Sequence, residues 1–317
     1  MKALWLFLIV ALFVGCGPKE SDGNVKNADQ GQNTDDALAV LPGGAIAVGT
    51  VDARAFFGSQ TFGADLAKLV EKYIPIGQEA GFTASKDVDR ITFASYAYSG
   101  VDVAAIVVGR FDEAKIKAAA ASHTSTRGGN VIVASQYLGR DVYTVSNVGF
   151  TLLAPDRAVA GTEAGIRRVL ERIKDKRVKR DLPQWMIATV ETQGAAAAVA
   201  ADFATNPMPQ QTLAQIPVPN AKDLKAARIV ATFDQGIKLA AALTFPDEAT
   251  AQNASQTVKQ AGTYTKWLSL IGVRVQNFDV TVEKADVQVK VGVDDQSLRN
   301  LVAQAPSWLP PPPQQPQ

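Results

Sequence analysis

Residues 91–114 read Ile91-Thr92-Phe93-Ala94-Ser95-Tyr96-Ala97-Tyr98-Ser99-Gly100-Val101-Asp102-Val103-Ala104-Ala105-Ile106-Val107-Val108-Gly109-Arg110-Phe111-Asp112-Glu113-Ala114. Two runs of β-branched and aromatic residues flank a Ser-Gly turn. So short a connection forces the runs to pair antiparallel. The second run is apolar at every position from Ala104 to Val108, leaves no wetted face, and belongs in the middle of a sheet. Asp112 then stands where a side-chain oxygen caps a helix over 113–121.

The same order recurs further on. Lys86-Asp87-Val88 precedes the first strand pair, and Lys222-Asp223-Leu224 precedes a second pair at 227–233 and 237–245, joined by Gln235-Gly236. Phe111-Asp112-Glu113-Ala114 is matched by Phe245-Pro246-Asp247-Glu248-Ala249, with proline inserted where a first helical turn tolerates it. Hairpin strands follow each helix, near 131–138, 141–146 and 149–160 in the first half and at 275–283 and 287–293 in the second. Val287, Val289, Val291 and Val293 alternate as one buried face does. Thr162 caps a helix through Ile166, Val169, Leu170 and Ile173, and Asp294 or Asp295 caps a last one. The expected class is α+β: an internally duplicated module, antiparallel sheets with helices packed on one face. The expected divisions are 1–15, 16–36, 37–180 and 181–305 for the two repeats, and 306–317.

Outside that pattern, 61–74 carries Phe62, Leu66, Leu69, Val70 and Tyr73 at helical spacing, and 45–51 reads as a strand. Residues 186–190 also read as a strand, and 195–203 as an alanine-rich helix. The polar stretch 17–36 holds too little apolar surface to offset chain entropy and reads as a tether. Pro306-Ser307-Trp308-Leu309 followed by Pro310 to Pro313 reads as an extended polyproline tail, either inert or a partner's docking site.

Composition limits the chemistry. The chain is 47% apolar and 20% charged, with a formal charge of +1, one histidine and one cysteine. A disulfide framework and a multi-histidine metal site are excluded, and a chain so close to neutral gives no general pull toward nucleic acid. There is no Gly-x-Ser-x-Gly elbow, P-loop or Gly-x-Gly-x-x-Gly. His123 lies in a polar loop, Gly43-Gly44 and Gly128-Gly129 read as turns, and adjacent Asp35 and Asp36 point apart on an extended chain. No catalytic residue, metal ligand or cofactor is expected, and a hydrolase has no sequence support. Tyr96 and Tyr98 share a strand face and could stack on a sugar ring, or pack beneath a helix. The strongest charge feature is Arg167, Arg168, Arg172, Lys176, Arg177, Lys179 and Arg180. Cations suit a helix C-terminus, and the same cluster would serve an envelope protein or an anionic lipid as partner.

The N-terminus carries the sharpest signal. Met1-Lys2 is a short positive head, and Ala3 to Val14 is an unbroken apolar run of 12 residues. As a helix it covers roughly 18 Å, short of a bilayer core of about 30 Å. Small Gly15 precedes Cys16. In Val14-Gly15-Cys16 the chain resembles bacterial lipoproteins, whose lipobox it departs from only at Phe13, where leucine is usual. The resemblance covers residues 1–17. It implies a cleaved signal peptide, a diacylglyceryl group on the Cys16 thiol, and acylation of the new amine, palmitate among the acyl groups. Gly17 stands where aspartate would retain the protein in an inner membrane, so the resemblance implies an outer membrane, facing the periplasm, in a bacterium with two membranes. Residues 41–52 also resemble the start of some uncharacterised bacterial envelope proteins, which brings no activity. The expected protein is a lipid-anchored, non-enzymatic binding or scaffolding module. The alternative is a lipid-handling protein with an apolar ligand between sheet and helices, the small residues at 195–201 lining the cavity.

Overall fold

The computed structural model describes residues 34–307 except 75, 99–100, 124–125, 127–130, 146–147, 214–220, 264, 266–268 and 270–271. The apolar run, Cys16, the polar stretch up to residue 33, the Ser99-Gly100 turn, Gly128-Gly129 and the proline run lie outside the described residues.

Twelve strands form one antiparallel sheet among the described residues. They are β1 (Ala47–Asp52), β2 (Val88–Ser95), β3 (Val103–Gly109), β4 (Val133–Tyr137), β5 (Arg140–Val145), β6 (Val148–Ala154), β7 (Arg157–Gly161), β8 (Ala197–Asp202), β9 (Ala226–Phe233), β10 (Ile237–Thr244), β11 (Val275–Glu283) and β12 (Asp286–Val293). The spatial order is β11-β12-β10-β9-β8-β1-β2-β3-β7-β6-β5-β4. The repeat read from the sequence is legible here. From the central β1–β8 pair, where Val48 faces Ala200, each half runs outward as strand, hairpin pair and returning hairpin. The first half adds β5 and β4 at its edge. The class is α+β, as the strand pairs and capped helices require.

Ten α-helices are described: α1 (Ala37–Val40), α2 (Ala53–Phe57), α3 (Gly63–Tyr73), α4 (Ala84–Asp87), α5 (Glu113–Ala121), α6 (Glu163–Lys174), α7 (Gln184–Val190), α8 (Gln210–Leu213), α9 (Glu248–Thr263) and α10 (Asp295–Gln304). Three of them carry the caps read from the sequence. Asp112 accepts from Lys115 N at 3.0 Å, Thr162 from Gly165 N at 3.2 Å, and Asp294 from Ser297 N at 2.7 Å.

Helices on a single face describe β10–β12, where α9 packs Ala251, Ala254 and Val258 onto Val280 and Val287. The other face of those strands shows exposed Lys238, Ala240, Asp279, Thr281 and Lys290. Over the first half, helices lie on both faces. On one, α6 brings Ile166, Val169 and Leu170 against Ala94, Ala104, Ile106 and Val159. On the other, α5 meets Tyr143, Val145 and Phe150, and α2 to α4 cover Ile91 and Val107. A strand apolar at every position, such as β3, needs both layers.

Two local expectations are reversed. Residues 186–190 form α7 rather than a strand. Met186, Ile187 and Val190 recur at helical spacing and pack on Leu38, Val48 and Ala200. Residues 197–202 form β8 rather than a helix, hydrogen-bonded to both β1 and β9. The alanines of β8 are small because α7 lies on them, and tertiary packing here overrides their helix preference.

Candidate functional surface at the root of the N-terminal segment

The seven basic candidates divide by their partners. Arg167 pairs with Glu163 at 2.5 Å and lies over the Tyr137 ring, 4.8 Å from its centroid. Arg168 forks onto both carboxylate oxygens of Asp102, at 3.0 and 2.5 Å, and stacks 4.4 Å from the Tyr96 centroid. The Tyr96 hydroxyl donates to the Pro42 carbonyl at 3.0 Å. Burial pushes the Tyr96 phenol well above its ordinary value, opposed by Arg168 and Arg172.

Arg172 is buried, 5% exposed. Its Nε donates to Ala39 O at 3.1 Å and its Nη2 to Lys179 O at 2.5 Å, with Asp181 3.7 Å away. Burial lowers its guanidinium from the ordinary value, and Asp181 works against that. Arg180 donates to Asp36 at 2.6 Å and to both oxygens of Glu191 at 3.0 and 2.6 Å. The hydrogen bonds it donates to Glu191 and then to Asp36 hold it above the usual guanidinium value. Lys174, Lys176, Arg177 and Lys179 remain exposed.

The same elements hold the root of the N-terminal segment. Arg157 donates to Thr34 O at 3.3 Å and pairs with Asp35. Asp36 Oδ1 accepts from Leu38 N at 3.1 Å and Ala39 N at 3.3 Å, capping α1, while its Oδ2 takes Arg180. Asp35 and Asp36 thus point to different arginines, and among the described residues no three of His, Cys, Asp and Glu converge as metal ligands. The partners Asp36, Asp102 and Glu191 were invisible to sequence reading. They lie 144, 66 and 11 residues from the arginines they meet, and no local pattern joins them.

The tyrosine pair is separated. Tyr96 faces α6, whereas the Tyr98 hydroxyl donates to Asn206 O and its ring lies 6.5 Å from Phe203. They form no shared platform for a sugar. His123 is exposed at the end of α5, with Nδ1 3.2 Å from Ala121 O. A cleft of about 420 Å³ opens where β1 ends and β8 begins, lined by Thr50, Asp52, Arg90, Glu191, Gln193 and Phe233 among others. Asp52 already caps α2 through Ala55 N at 3.0 Å and stands 3.6 Å from Arg90. Its groups offer hydrogen bonds and charge.

No protein-family model and no curated protein matches the chain. Among solved structures it is similar to crystal form I of TP0453, with TM-score 0.52, 14% identity, and 86% of this chain covering 98% of that one. Crystal form III of TP0453 gives 0.50 and 13%, over 85% and 98% of the two chains. At these identities the likeness is one of fold.

Proposed function

We propose that the chain is a lipid-anchored cell-envelope protein, a lipoprotein held by Cys16, whose folded module works by binding rather than by catalysis. The observation that carries this reading is Val14-Gly15-Cys16 at the end of a 12-residue apolar run, followed by a polar stretch. Two or three acyl chains hold firmly, since each buried CH₂ contributes about 0.8 kcal/mol. In a bacterium with two membranes the proposed place is the outer membrane, facing the periplasm. The clamping of Thr34, Asp35 and Asp36 by Arg157 and Arg180 supports the reading, because it ties the proposed anchor mechanically to the module.

Binding without catalysis fits the polar, ion-paired cleft at Asp52. The lipid-handling alternative needs an apolar seat lined by 195–201. Of those residues, Ala195 and Ala196 line the polar cleft at Asp52, and Ala200 is packed under Met186, Ile187 and Val190. The interaction module is therefore the better reading. Replacing Cys16 by Ala should leave the precursor uncut and unlabelled by radioactive palmitate. Normal processing of that variant overturns the proposal.

A further inference from the structure

We infer that Lys174, Lys176, Arg177 and Lys179 form the face this protein turns toward the anionic headgroups of the membrane that holds it. The inference rests on the proposed anchoring through Cys16 and adds an orientation to it.

Three observations converge. The first is position. Arg180 grips Asp36, and Arg172 grips both Ala39 O and Lys179 O. The loop after α6 is thereby fastened to the point where the N-terminal segment joins the fold. Cys16 stands 18 residues before Thr34. Even fully extended, that length spans only about 60 Å. A body anchored there stays close to the lipid surface, and the loop beside the root stays closest.

The second is charge. Arg177 pairs with Asp175 at 3.0 Å, but no ion pair forms at Lys174, Lys176 or Lys179 among the described residues. Asp181, the next carboxylate along, faces Arg172. The remaining arginines of the cluster are committed to carboxylates, a ring or a carbonyl. The loop therefore keeps a local positive excess on a chain whose overall charge is only +1. A local excess of that kind acts within about a Debye length, which suits a surface held near by a covalent anchor.

The third is backbone geometry. Lys176 has φ 58°. Its N–H donates to Ile173 O at 3.2 Å and the Arg177 N–H to Arg172 O at 2.9 Å. This is the helix-ending motif whose left-handed position ordinarily takes glycine. The chain carries a lysine there, at a conformational cost that the fold itself does not require.

The test uses the mature lipidated protein added to preformed vesicles, one set phosphatidylcholine and the other containing about a third phosphatidylglycerol. Lysines are acetylated with a water-soluble reagent and read by peptide mass spectrometry. Flotation of the protein with both vesicle types tests the anchor separately. On anionic vesicles, Lys174, Lys176 and Lys179 should label about fivefold more slowly than on neutral ones, the factor that roughly 1 kcal/mol per charge represents. Lys238 and Lys290, far along the sheet, should label equally on both. High salt should abolish the difference, and K176E/K179E should remove the protection of Lys174 without shifting the thermal midpoint. Flotation with equal labelling on the two vesicle types overturns the orientation while leaving the anchor intact. Failure to float with either set overturns the anchor, and the orientation with it.

Discussion

Arg172 and Ala39 lie 133 residues apart in the chain, and the guanidinium Nε of one donates to the carbonyl of the other at 3.1 Å inside the protein. The second arm of the same guanidinium reaches Lys179 O at 2.5 Å. One buried side chain thus satisfies two backbone acceptors, closes α1 onto the end of α6, and fixes the start of the folded body against the loop that follows.

Arg172→Met should therefore destabilise the protein by about 1–3 kcal/mol, because the buried Ala39 carbonyl and the part-buried Lys179 carbonyl both lose a charged donor. Arg172→Lys should recover less than half of that loss. A single ammonium cannot reproduce the fork that meets two carbonyls at once. Urea unfolding midpoints of the three proteins check the order. A methionine variant as stable as the parent would show that the contact contributes nothing.

Gly165 and the Val103 carbonyl set how close α6 sits to the sheet. A Cβ built on Gly165 lies 2.3 Å from Val103 O, and one on Gly161 lies 2.2 Å from the same oxygen. Gly161 also has φ 147°, a backbone that side chains rarely adopt. Glycine to alanine within a helix ordinarily gains up to about 1 kcal/mol. Here the sign should reverse, with Gly165→Ala costing about 1–3 kcal/mol as α6 is pushed off β3. Chemical denaturation of this one variant separates the two outcomes by sign alone.

What the sequence disclosed, and what it hid, follows from the range of the interactions. β2, β3, α5 and α6 are readable because their signals are local: two β-branched runs close together in the chain, one of them apolar throughout, and Asp112 and Thr162 as caps. α7 and β8 were exchanged because each is short and its local signal misleads. Met186 to Val190 is apolar enough for a strand, and only its partners Val48 and Ala200 reveal the helix. The alanines of β8 favour a helix in isolation, and only the pairing with β1 and β9 makes them a strand. The basic cluster was visible as composition. Its division into committed arginines and free-standing lysines was not, since Asp36 and Asp102 come from distant parts of the chain.

Asp294 makes the acid limb of stability partly a matter of α10. Its carboxyl is held below the usual carboxylate value, first by the backbone N–H of Ser297 and then by the Ser297 hydroxyl. A carboxyl with a depressed folded pKa contributes stability that is present above its unfolded value near 4. That contribution is lost as pH falls through the folded pKa. The urea midpoint should thus drop between pH 7 and pH 3. Asp294→Asn should show a smaller drop, because asparagine keeps the cap but does not titrate. An identical drop in both proteins would place the acid sensitivity elsewhere.

Lys176 offers a way to separate what the fold wants from what the surface carries. At φ 58° it occupies the left-handed end of α6, where a side chain costs about 1–2 kcal/mol relative to glycine. Glycine gives part of that back through the larger freedom of its unfolded chain. The net expectation for Lys176→Gly is a gain of up to about 1 kcal/mol, or a few degrees in thermal midpoint for a chain of this size. Lys176→Ala should give no such gain, since alanine keeps the Cβ that makes the conformation costly. Differential scanning calorimetry of the pair distinguishes strain from charge, because both variants lose the same ammonium group and only one loses the Cβ. If the two variants rise together, the gain comes from relieving repulsion among Lys174, Lys176 and Lys179. If glycine alone rises, the lysine is held at a position where the helix end would be more stable without it.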